Sequence, residues 1–176
     1  MASAITTQRP QPDEHDPYYS LYISLVPEGD VLDALRAQIA DTQALLLGLS
    51  EEQGNFRYAP GKWTIKEVVG HLSDTERVFA YRALRIARND QTPIEGFEQD
   101  DYVRFGPFAR RSLAGLVEEY GAVRQSSLCL LRALDEEAWS RRGIANKATV
   151  SVRAVAFIMA GHELHHRRIL KEKYRL

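Results

Sequence analysis

The chain has 176 residues, with 23 Lys and Arg against 24 Asp and Glu, giving a net charge of -1. That length suits one ordinary domain, so a single core is expected to carry the fold. Near-neutral charge supplies no field to gather phosphate backbones. The longest uncharged apolar stretch, 154–161, falls far short of the roughly 20 residues of a membrane span, and one cysteine cannot form an internal disulfide. Nucleic acid and membrane are thereby set aside as partners, and a cytoplasmic protein acting on a small-molecule substrate is expected.

Residues 1–16 mix Thr, Gln, Pro and acids without the apolar run of a secretory signal. They read as a flexible N-terminal tail before a helical domain over 17–176. Asp30 precedes Leu32, Leu35, Ile39, Thr42, Leu46 and Leu49, whose alternating steps of three and four predict a first helix. After the turn signal Pro60-Gly61, Thr64 and Glu67 form a capping box that opens a second helix running to about Arg88. It directs Ile65, Val68, Val69, Leu72, Phe79, Ala80, Ala83 and Ile86 inward.

Residues 89–110 keep no period and exceed the usual length of a structureless loop, so a short helix is expected within them. A third helix follows over about 111–134, with Leu113, Leu116, Tyr120, Val123, Ser127, Leu131 and Leu134 in line. A second long connection, 136–149, leads to a fourth helix over about 151–173. No strand pattern of convincing length is present. Four helices of this size with two long connections predict an all-α four-helix bundle with a crossover.

Three of the five histidines fall in Gly161-His162-Glu163-Leu164-His165-His166. At about 100° per residue, His162 and His166 lie within about 30° of the apolar centre set by Val155, Met159 and Ile169, while His165 lies about 80° away. An i, i+4 pair of imidazoles on one face is spaced to share a metal, or to hydrogen-bond within a core. The residues also meet the His-Glu-x-x-His expression of helical zinc proteases, but the strand-bearing domain that accompanies that motif has no counterpart here. His71, on the second helix, is about 110° from its apolar centre, a boundary position by periodicity alone. Glu163 is about 80° off the core face and Asp74 nearly opposite it, so neither presents itself as a general acid or base. Cys129, among leucines, reads as a packed thiol before a nucleophile, and Trp63 as a core anchor at the start of the second helix before a pocket wall. Ser127 and Thr42 either face a cavity or bond back to the preceding turn, and Tyr102 and Phe105 are candidate lid or dimer contacts.

The run Pro60-Gly61-Lys62-Trp63-Thr64 through His71 to Glu76, with His162-x-x-His165-His166 some ninety residues on, resembles the DinB/YfiT-like family. The resemblance implies a four-helix bundle of up-down-down-up topology, often a homodimer, with a divalent metal held by three histidines. Carried over residue by residue, the ligands are His71, His162 and His166, with His165 a non-ligand. Three imidazoles leave coordination positions open, as in catalytic sites, and nitrogen donors suit zinc or nickel. The resemblance further implies an enzyme of small molecules. A thiol-dependent transferase, in which the metal activates a low-molecular-weight thiol, comes first. A metal-dependent hydrolase and a non-catalytic, metal-stabilised dimerisation module are the alternatives.

Overall fold

The computed structural model describes residues 4–176. Its four long helices are α1 (Val31–Leu46), α2 (Ile65–Ala87), α3 (Leu113–Arg132) and α4 (Val152–Lys173). Each begins at a side-chain cap. Asp30 accepts from the Leu32 amide, Thr64 and Glu67 complete their reciprocal box, Ser112 accepts from Gly115 and Ser151 from Ala154. These caps satisfy amides that have no partner inside the helix, and so fix where each helix starts. α1 and α2 each pack against both α3 and α4. No helix among the described residues is long and apolar enough to cross a membrane.

The expectation of a single core is corrected in one respect. Among the described residues the buried apolar side chains form two clusters: Leu35, Phe79, Leu128 and Val155 belong to one, and Leu46, Leu72, Leu116 and Leu170 to the other. Between them every long helix contributes buried polar groups, namely Gln38 and Thr42 from α1, His71 and Glu76 from α2, Arg124 from α3, and His162, Glu163 and His166 from α4. The Arg124 guanidinium bonds both Glu76 oxygens at 2.7 and 2.8 Å, the Leu35 carbonyl at 3.1 Å and Gln38 Oε1 at 3.0 Å. It also pairs with Glu163 at 2.8 Å. One side chain thus ties together all four helices.

The connections hold more structure than periodicity shows. The expected short helix within 89–110 is Gln99–Phe105. The reading without strands is corrected by a hairpin, β1 (Arg142–Ala145) and β2 (Ala148–Ser151), paired antiparallel. Its two turn residues, Asn146 and Lys147, both have positive φ, 51° and 67°, as a two-residue turn between twisted strands requires. Strands of four residues joined without a glycine leave little signal in a sequence. Ile94 bonds to both Ile144 and Asn146, which fastens the 89–98 connection to the hairpin.

The flexible tail expected over 1–16 is, from residue 4 onward, laid against the bundle; residues 1–3 lie outside the described residues. Buried Glu14 accepts from Ser151 Oγ at 2.6 Å and from Arg153 Nε at 3.2 Å, while Thr6 donates to Asp30 at 2.9 Å. Arg9 donates to the Ile23 carbonyl at 2.7 Å. Partners up to more than a hundred residues away give the segment its order, and no local pattern announces them. A further helix, Ser20–Leu25, follows and packs on α4.

Two predictions follow from these polar ties. Burial alone would raise the Glu14 carboxyl, but Arg153 and Ser151 hold it below its ordinary 4.5. Its contribution is therefore complete above pH 4.5 and is lost as pH falls through the lowered folded value. Glu14→Gln should cost about 1–3 kcal/mol at pH 7, with the difference from wild type closing below pH 4.5, as read by melting curves. Arg124→Met, which strands two buried carboxylates, should cost about 3–5 kcal/mol in urea unfolding. Adding Glu76→Gln and Glu163→Gln should recover part of that loss.

Candidate metal centre

His71 and the α4 histidines meet where α2 packs against α4. The periodicity of α2 alone leaves His71 at a boundary; the structure corrects this, because that edge of the helix faces α4 and leaves His71 only 2% exposed. His162 and His166, one turn apart on the inner face of α4, are buried as well. His71 Nε2 lies 3.1 Å from His162 Nε2, which in turn lies 3.1 Å from His166 Nε2. One ring nitrogen from each residue falls within a sphere of mutual distances no greater than 4.8 Å. His165 is outside this set, its ring against Tyr22 at 5.2 Å.

The electrostatics favour neutral imidazoles. Burial lowers the His71 pKa to about 4. Burial also lowers His166 and His162 well below 6.5, helped in each by the neighbouring histidines. All three are thus in the form that can ligate at pH 7. Thr75 Oγ1 lies 3.2 Å from His71 Nδ1, so a partner on the far nitrogen leaves Nε2 turned to the cluster. Three nitrogen lone pairs directed at one point repel unless a proton or a cation lies between them. The donor set therefore fits a divalent ion.

α4 is held in register on either side of His162. Gln38 Nε2 donates to the Ala160 carbonyl at 3.0 Å, and Thr42 Oγ1 donates to Glu163 Oε1 at 2.5 Å. Glu163, expected off the core face, is 1% exposed and engaged by Arg124 and Thr42. Its partners lie on α1 and α3, which the phase of α4 alone does not reveal. Asp74 pairs with Arg77 at 3.0 Å. Ser127 bonds back to the Val123 carbonyl, and Cys129, expected to be packed, is exposed on the outer face of α3. Tyr102 and Phe105 are both exposed on the short helix.

Cavities open on two sides of the histidines. One, of about 250 Å³, is bordered by His162 with Tyr22, Thr75, Phe79 and Arg82. The other, of about 310 Å³, is bordered by His166 with Lys62, Trp63, Val68, Asp100 and Tyr174. Trp63 packs against the second apolar cluster, as a core anchor does, and also walls the second cavity. Its ring centroid is 4.7 Å from that of His71, and it stacks over His166 at 6.3 Å with 17° between planes.

Gly161 is the point of closest approach behind the site. A Cβ there would lie 1.9 Å from the Tyr22 carbonyl oxygen, so only glycine lets the Ser20–Leu25 helix rest on α4. Gly161→Ala should push that helix away and cost about 1–3 kcal/mol. Melting curves check the loss, and it should come with increased hydrogen exchange of the amides in 20–25.

Relatives place the fold. The sequence model of the DinB superfamily matches residues 34–170. A Geobacillus thermodenitrificans (strain NG80-2) protein named "Putative metal-dependent hydrolase" is 35% identical over 72 residues, 41% of this chain. The match spans only 36% of that relative's length. YfiT from Bacillus subtilis, described as a probable metal-dependent hydrolase with an unusual four-helix bundle topology, superposes with a TM-score of 0.73 at 16% identity. The alignment covers 98% of this chain and 97% of YfiT. A mycothiol-dependent maleylpyruvate isomerase superposes with a TM-score of 0.67 at 14% identity, covering 82% of this chain and 60% of its own. With the model matched over most of its length and a YfiT-like four-helix bundle around the histidines, the chain belongs to the DinB superfamily.

Proposed function

We propose that His71, His162 and His166 hold a divalent metal, zinc or nickel, and that the protein is a metal-dependent enzyme transferring a low-molecular-weight thiol to a small electrophile. The three neutral imidazoles would hold such an ion, and when bound it would favour the thiolate form of a thiol at neutral pH. The observation that carries the transferase reading is the pair of cavities, one at His162 and one at His166, which offers separate room for two reactants beside one centre. Trp63 and Val68 give the His166 side an apolar wall, with Lys62 at its border. The single cysteine, exposed and away from the cavities, leaves the nucleophile to come from outside.

Hydrolysis is the second reading. It is favoured by the name of the Geobacillus relative and by Asp100, a carboxylate bordering the cavity at His166 that could accept a proton from water. A non-catalytic, metal-stabilised module is the third. The proposal also takes the bundle as up-down-down-up. The contacts Gln38 to Ala160 and Thr42 to Glu163 run α1 and α4 the same way. Sharing of one cluster by Leu35 and Leu128, and of the other by Leu46 and Leu116, sets α1 against α3. Val68 with Leu116 and Phe79 with Leu128 run α2 along α3. A homodimer without nucleic-acid or membrane partners completes the reading.

Elemental analysis of purified protein should find about one zinc or nickel per chain and little in a His71→Ala/His162→Ala variant. Wild type without metal after exposure to both ions would end the metal reading. Metal-loaded protein should consume thiol in the presence of epoxides or halides, and the double variant should not. Release of product from esters without thiol would select the hydrolase instead, and silence in both assays the non-catalytic module.

A further inference from the structure

We propose that the cavity beside His162 receives the carboxylate of a small organic acid, with Arg82 as its anchor. The inference supplies a substrate class for the proposed metal centre and rests on that reading for its chemistry, though not for the binding itself.

Arg82 is 4% exposed, yet its charge has no counter-ion among the described residues. The guanidinium lies between the Phe79 and Phe97 rings, 5.5 and 6.0 Å from their centroids. Among the described residues its one hydrogen bond runs from Nη2 to the Glu95 carbonyl at 3.3 Å, and Nε is buried without a partner. The other buried arginine among the described residues, Arg124, and the partly buried Arg153 are treated differently. Arg124 meets Glu76 and Glu163, and Arg153 meets Glu14. The single acid bordering the cavity, Glu98, is exposed and makes no ion pair with Arg82.

A guanidinium cannot shed its proton to escape burial, and an unpaired buried charge is costly. Arg82 borders the same cavity as His162, which places the missing anion beside the histidine cluster. A carboxylate matches the planar fork of donors and can take the unfilled hydrogen bonds. The aromatic faces of Tyr19, Tyr22, Phe79 and Phe97 suit a flat, apolar body behind it.

The test is calorimetric titration of the full chain with benzoate, its uncharged counterpart benzamide, and phenyl phosphate. Wild type should bind benzoate about tenfold or more tightly than benzamide. Arg82→Met should lose that preference while keeping wild-type metal content, and Arg82→Lys should retain only part of it. Equal binding of the two probes by wild type, binding of neither, or a benzoate preference that survives in Arg82→Met would each overturn the proposal. Should Arg82→Met fail to fold, an undiminished preference in Arg82→Lys would do the same. Tighter binding of phenyl phosphate than of benzoate would overturn the carboxylate class. The benzoate preference should persist in His71→Ala/His162→Ala; its loss there would assign the anion to the histidine centre and overturn the anchor. A wild type that carries no metal but prefers benzoate would leave Arg82 as anchor and remove the metal reading alone.

Discussion

The structure is organised around one buried cation. Arg124 sits at the middle of α3 with carboxylates from α2 and α4 and oxygens from α1 around it. Burial by itself would weaken the charge, but the Glu76 and Glu163 carboxylates more than offset that and hold the guanidinium firmly ionised. Hydrophobic contact is tolerant of sliding, because one leucine can exchange for its neighbour along a ridge. Bonds at fixed distances from α3 to the three other helices are not tolerant, so Arg124 sets their relative heights. Glu163 lies next to His162 and Glu76 lies five residues beyond His71, so the heights fixed by Arg124 bring the imidazole nitrogens level.

This explains why the apolar interior is split. A continuous stripe on each helix would bury more carbon, yet each of the four gives up core positions at the same level to polar side chains. Satisfied buried networks specify one arrangement at some cost in stability. Here the network lies in the same layer as the histidines, and the two apolar clusters clamp it from both ends.

How much of this could be read from the sequence depended on how local each signal was. The caps at Asp30, Thr64, Ser112 and Ser151 involve neighbours two or three residues apart, and the helices start at them. His162 and His166 share the apolar phase of α4, so their inward direction was legible. His71 was not legible from phase, because α2 touches both α3 and α4 and buries a wider arc than its apolar stripe. The position was recoverable only through the family pattern. Arg124 shows the opposite failure. Tyr120, Arg124, Ser127 and Leu131 keep the helical step, so a charge stood in the core register, but its partners are dozens of residues away. The anchoring of Glu14 to Ser151 and Arg153 is longer in range still, and a tail composition conceals it.

The family match begins at residue 34, whereas Tyr19 and Tyr22, which border the cavity at His162, precede it. The helix bearing Tyr22 reaches the bundle by resting on the bare backbone at Gly161. The histidine centre and the roof over it are therefore supplied by different stretches of the chain. Tyr19 and Tyr22 shape what the cavity admits from a stretch that carries neither the three clustered histidines nor the cation that levels them.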